Sequence, residues 1–156
     1  MQTLTEPKII TRQPETVFYV QEKGDYSKTP KLALEKLTKL LTGKGGFQSI
    51  YGMGLDNPHT TNSEACRFDA CAKMKLDENV ELAESVQKKE IEGGRFAVFV
   101  HEGPYSELTA TCNRIFQEWF PKSGYEPSGP LFCKYVNYFD ESAKVKVTKI
   151  YVPIKI

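Results

Sequence analysis

The chain has 156 residues, is 40% hydrophobic and 26% charged, and carries 21 basic against 20 acidic residues, a net charge of +1. That size suits one domain rather than two independent cores, and the balanced, scattered charge argues against a nucleic-acid footprint. No apolar run reaches the length of a membrane-spanning helix and no signal-type N-terminus is present, so the expectation is a soluble, cytoplasmic protein without membrane or direct nucleic-acid contact.

In chain order, residues 17–27 (VFYVQEKGDYS) read as a strand ending in a turn and then Tyr26-Ser27. A helix follows. Thr29 suits its N-cap and Pro30 its first position, where the missing N–H costs nothing. Ala33, Leu37, Leu40 and Leu41 form its apolar stripe, and Gly43 can end it in a left-handed conformation. Strands over 48–55 and 66–74 come next, separated by the Asp56-Asn57-Pro58 turn and a polar loop. Beyond a charged connector over 77–84, residues 85–92 can add a short strand. Gly93-Gly94 is then a hairpin signal, and no GKS/T follows that would make it a phosphate loop.

Residues 97–106 (AVFVHEGPYS) repeat the 17–27 pattern. The next helix, over 107–120, aligns Leu108, Cys112, Ile115, Phe116, Trp119 and Phe120 on one face, and Pro121 and Gly124 are expected to stop it. Strands over 130–139 and 144–154 complete the chain. The two halves thus share the order β-α-β-β at an offset of about 80 residues. The fold class is α+β. It consists of duplicated βαββ units with pseudo-two-fold symmetry, in which an antiparallel sheet has two helices on one face and a ligand cleft on the other. One domain over 1–156 is expected, with repeat one at 15–75, a connector at 76–92 and repeat two at 93–156.

The four cysteines, Cys66, Cys71, Cys112 and Cys133, include no CxxC pair, and neither His59 nor His101 lies at metal-ligand spacing from one of them. Free thiols, no metal site and no cofactor are expected.

Several stretches resemble the GyrI-like small-molecule-binding family. Residues 93–105, from Gly93-Gly94-Arg95-Phe96 to Gly103-Pro104-Tyr105, are similar to its "GG-[KQR]-[YF]-A-V … G-P-Y" pattern. Ser123-Gly124-Tyr125-Glu126, Tyr135 and Lys149-Ile150-Tyr151-Val152-Pro153 resemble its later stretches, and Asp56-Asn57-Pro58 with Arg67-Phe68-Asp69-Ala70-Cys71 its earlier ones. The resemblance covers residues 5–156. It implies a duplicated βαββ fold that binds organic molecules, often lipophilic cations. That fold occurs alone, as in gyrase-inhibitor-like proteins, or fused to DNA-binding domains of AraC-type and MerR-type regulators. Some stand-alone relatives hydrolyse cyclopropane-containing natural products. A stand-alone protein is expected here, since the chain offers no residues for a DNA reader.

The family's cation-pairing or catalytic glutamate, two residues before the tyrosine, corresponds to Cys133, and a second family glutamate corresponds to Lys149. Both changes remove negative charge. A buried cation without a compensating anion loses several kcal/mol, roughly 3 or more. The substitutions therefore favour a neutral or anionic aromatic ligand over a cation, and they remove a carboxylate for water activation. Restoring glutamate at 133 is expected to raise affinity for aromatic cations.

By strand alternation, Cys133 and Tyr135 are expected to face the cleft, with Phe132 and Lys134 pointing away, and Lys149 and Tyr151 facing it from the last strand. The repeat maps Tyr51 and Met53 onto Cys133 and Tyr135, and Asp69 and Cys71 onto Lys149 and Tyr151. Asp69 and Lys149 either pair across the cleft or each read one end of a polar ligand. His101, Tyr105 and Trp119 complete the candidate ligand-binding set, each with a structural role as its alternative; no residue is assigned as catalytic. The expected function is binding of a small organic molecule, aromatic or lipophilic, for effector sensing or sequestration. Two alternatives stand beside it. One is a hydrolase of strained electrophiles; the other is a protein-binding module acting on gyrase or a transcription regulator.

Overall fold

The structure, a computed structural model, describes residues 4–155. In chain order its elements are β1 (Lys8–Arg12), β2 (Glu15–Lys23), α1 (Thr29–Leu41), β3 (Gly45–Gly54), β4 (Arg67–Leu76), β5 (Gln87–Ile91) and β6 (Gly94–Glu102). A helical stretch follows, with α2 (Leu108–Arg114), a π-helical turn (Ile115–Trp119) and α3 (Phe120–Ser123). Then come β7 (Glu126–Pro127), β8 (Phe132–Tyr135) and β9 (Val147–Lys155). The chain is α+β, with antiparallel strands throughout. It forms two compact units, Gln13–Gly93 and the segment through Arg12 with Gly94 onward.

In the first unit the strands run β5-β2-β4-β3, and α1 packs on β2 and β4. The expected stripe is buried through Ala33, Leu37 and Leu41, with Leu34 beside them. Burying a leucine side chain contributes about 1.5–3 kcal/mol, so this stripe anchors the helix. Thr29 does not cap it: Lys28 precedes the first turn, and the Thr29 hydroxyl donates instead to the Asp25 carbonyl at 2.9 Å. Gly43 takes the left-handed conformation expected after the helix (φ +83°).

The β3–β4 connection is closed by Asp56, whose carboxylate accepts from the Arg67 backbone N–H (2.8 Å), Nε (3.0 Å) and Nη2 (3.0 Å). The Tyr26 hydroxyl donates to the Arg67 carbonyl at 2.7 Å and accepts from the Asp56 N–H at 3.1 Å. Tyr26, the residue singled out by the repeat, therefore staples this turn.

In the second unit the strands run β1-β6-β9-β8, with β7 on β9. Strand β1 is an addition to the expected elements. The helix continues past Pro121 to Ser123 and ends at Gly124 (φ +78°). The π turn ending at Trp119 widens the helix just before Pro121, which can donate no backbone bond. Strand β8 has four residues where ten were expected. Beyond Tyr135 the chain turns, and Lys146 Nζ donates to the carbonyls of Asn137, Tyr138 and Asp140 at 3.0, 3.3 and 3.1 Å. The Asn137 amide holds the Val145 carbonyl and the Val147 N–H at 2.9 Å each. No described helix is long and apolar enough to cross a membrane.

Candidate functional site

Each unit has one strand face against its helix and one turned away. In the first unit Glu22 pairs with Lys36 of α1 at 2.9 Å, so Glu22, Val20, Phe68, Ala70 and Ala72 lie on the helix side. The opposite face carries Tyr51 opposite Cys71 and Met53 opposite Asp69, as the alternation within each strand requires. Asp69 is 2% exposed and ion-paired to Lys89, and it accepts a hydrogen bond from Gln21 Nε2 at 2.9 Å. Lys89 also lies 4.6 Å from the centre of the Tyr19 ring. The Asp69 carboxylate is thus satisfied by Lys89 and Gln21 within its own unit. The Tyr51 hydroxyl donates to Glu15 at 2.6 Å, and Lys73 lies 3.7 Å from the same carboxylate. Burial pushes the Cys71 thiol up to about 12 despite the nearby Lys89 charge, so it stays protonated.

In the second unit Phe99 meets Trp119 edge-on at 5.2 Å, and His101 Nδ1 lies 2.8 Å from the Thr111 hydroxyl of α2. Odd-numbered β6 residues therefore face the helix, with Ile150 and Thr148 of β9 beside them. Cys133 stands opposite Ile150 and Tyr135 opposite Thr148, so both point to the helix. This reverses the expected orientation of β8. The reason is one residue of phase: Phe132, not Cys133, pairs with Tyr151, and Lys134 pairs with Lys149.

The Cys133 thiol interacts with that of Cys112 of α2. That interaction lowers the Cys112 thiol, whereas it and burial raise Cys133, which keeps its proton. A protonated, helix-facing thiol is not an activated nucleophile. Tyr105 packs edge-on against Tyr135 at 5.1 Å. Its buried hydroxyl has no hydrogen-bond partner among the described residues, and burial raises it to about 12. His101 Nε2 lies 3.2 Å from the Pro104 carbonyl, which with Thr111 satisfies both ring nitrogens, the structural role weighed for it. Trp119 stacks on Tyr125 at 6.0 Å and lines a groove of about 390 Å³ with Pro7 and Ile9, again on the helix side.

The eleven candidates therefore fall into three places. Tyr51, Met53, Asp69 and Cys71 lie on the helix-averted face of the first unit. Lys149 and Tyr151 lie on that of the second. His101, Tyr105, Trp119, Cys133 and Tyr135 lie between strands and helix of the second unit, buried or half-buried.

The helix-averted face of the second unit holds residues the sequence reading missed. Phe132 and Tyr151 stack at 4.9 Å with an interplanar angle of 8°. Phe96 stands edge-on to both, at 5.6 and 6.2 Å. The Arg12 guanidinium lies 4.9 Å from the Phe132 ring centre, 5.2 Å from Tyr151 and 5.8 Å from Phe96. Next to this cluster Lys134 and Lys149 stand directly opposite each other, both half-buried. The three rings are themselves buried, so the groups this face offers beside them are the two lysines. Among the described residues no group of three metal-ligating side chains occurs.

Residues 5–155 match the family described as "GyrI-like small molecule binding domain". The chain is 32% identical over 108 residues to the probable transcriptional regulator YgiV of Escherichia coli K12. That match covers 67% of the chain and 66%, just under two thirds, of the relative's length. Among solved structures, the C-terminal domain of EcmrR aligns with a TM-score of 0.76 at 14% identity, covering 99% of each chain. SAV2435 bound to tetraphenylphosphonium aligns with a TM-score of 0.62 at 15% identity, covering 97% of this chain and 94% of that one. At these identities the structural likenesses show a common fold.

Proposed function

The chain belongs to the GyrI-like small molecule binding domain family, and from that premise we propose that it binds a flat aromatic molecule, neutral or anionic, on the helix-averted face of its second unit. Lys134 and Lys149 would hold the ligand's polar end, beside the buried Phe96–Phe132–Tyr151 cluster. The observation that carries this reading is the Lys134–Lys149 pair. Like charges directly opposite on neighbouring strands destabilise a sheet, and an anion between two ammonium groups relieves that repulsion. SAV2435 binds a phosphonium cation, whereas on this face a family glutamate position is Lys149 here. The same fold would thus be tuned to the opposite charge, as a sensor or a sequestering protein.

The test is calorimetric titration of the protein with 8-anilinonaphthalene-1-sulfonate, an uncharged aromatic of similar size, and tetraphenylphosphonium. The expected order is anion tightest, then neutral, then cation, with the anion's advantage shrinking as salt is raised. Tightest binding of the phosphonium overturns the reading. Product analysis of the mixtures separates binding from turnover.

A protein-binding role is favoured by one observation. Val136, Phe139 and Val145, at 49%, 54% and 50% exposure, all lie in the β8–β9 connection. Association with purified DNA gyrase that disappears in Phe139→Asp would support it.

A further inference from the structure

Arg12 ends strand β1, opposite Gly94 of β6 and on the face that carries Phe96. Its guanidinium meets three rings within 6 Å. All three rings are buried, at 3%, 2% and 8% exposure for Phe96, Phe132 and Tyr151. A cation over aromatic rings at these distances is held by the ring quadrupoles, and more strongly when desolvated. Guanidinium suits such a position because it is planar and weakly hydrated. The place on this face best suited to a cation already holds one, supplied by the chain.

We infer that Arg12 is a specificity-determining residue: its guanidinium occupies the three-ring cage and excludes lipophilic cations from it. The inference deepens the reading of this face as a ligand site and depends on it. An incoming cation must displace Arg12 or sit beside its charge, with Lys134 and Lys149 close by on the same face. A neutral or anionic ring does not compete for the same interaction.

The experiment compares wild type with Arg12→Ala, Arg12→Gln and Arg12→Lys, each titrated calorimetrically with tetraphenylphosphonium and with 8-anilinonaphthalene-1-sulfonate. Removing the charge should raise phosphonium affinity about tenfold or more in both uncharged variants. Arg12→Lys should stay close to wild type, because an ammonium still fills the cage. Arg12→Gln keeps length and polarity, so the test survives if Arg12→Ala fails to fold. Unchanged or weaker phosphonium binding in the uncharged variants overturns the inference. If the sulfonate still binds wild type in that case, the face remains a ligand site and only the role of Arg12 fails. If the sulfonate binds nowhere, the functional reading fails with it.

Discussion

Lys134 of β8 and Lys149 of β9 are direct cross-strand partners, each opposite the other and half-buried. Such a like-charge pair costs stability of the order of 0.2–1 kcal/mol relative to neutral partners. Lys149→Glu converts it to an opposite-charge pair. The variant should be more stable in urea by up to about 1 kcal/mol at low salt, with the gain reduced at high salt. The same change should weaken binding of 8-anilinonaphthalene-1-sulfonate. A variant that is stabilised but binds the sulfonate as wild type does would show that the pair plays no part in recognition.

Cys133 is 7% exposed, stands opposite Ile150 on the helix side and interacts with the Cys112 thiol. The expectation that glutamate at this position would recruit aromatic cations is therefore replaced by another. Cys133→Glu forces a carboxylate between strands and helix, at a cost of about 3 kcal/mol or more unless it takes up a proton. Urea denaturation should show that loss, larger at pH 8 than at pH 5, because the protonated carboxyl is cheaper to bury. Wild-type stability together with a gain in phosphonium affinity would return Cys133 to the ligand face.

The element order and the repeat were legible because apolar periodicity changes at each boundary and glycine or proline marks the turns. The direction of β9 was also legible, since Lys149 interrupts an apolar run and fixes its phase. Strand β8 carried the same kind of mark in Lys134, but the resemblance of Cys133 to the family's glutamate position pointed to the opposite phase, and Phe132, Cys133 and Tyr135 are all buried, at 2%, 7% and 6%, on two different faces. One residue of error exchanged Cys133 and Tyr135 for Phe132 and Lys134. Arg12 was missed for another reason. Its role depends on β1 pairing with β6, a contact more than 80 residues distant in sequence that no local pattern encodes. Asp69 was located on the correct face, but its partner Lys89 lies on β5, which pairs with β2 rather than with Asp69's own strand.

Asp69 and Lys89 should be strongly coupled. Asp69 is 2% exposed and Lys89 24%, so the pair is only partly shielded from water and the interaction is discounted accordingly. A double-mutant cycle with Asp69→Asn and Lys89→Met should give a coupling energy of about 1–3 kcal/mol by urea denaturation. Lys89→Met alone also loses the contact with the Tyr19 ring, but that loss occurs in both arms of the cycle and cancels. A coupling near zero would mean that Gln21 alone suffices to hold the buried carboxylate.

Asp56 sets an acid limit on the β3–β4 turn. Hydrogen bonds from the Arg67 side chain, then from its backbone N–H, hold the Asp56 carboxyl below its ordinary value of 3.8. A carboxyl depressed in the folded state binds its proton more readily in the unfolded chain. Its contribution is therefore complete above the unfolded value near 3.8 and fades as pH falls through the folded one. Asp56→Asn removes the charge at every pH but keeps a side chain of the same shape. Wild type should exceed the variant in urea midpoint by a constant margin from about pH 7 to pH 5, and the two should converge below about pH 4. Arg67 stays charged across that range, so the convergence reads Asp56 itself. A margin that persists undiminished to about pH 2 would assign the effect to amide geometry rather than to the ionised carboxylate.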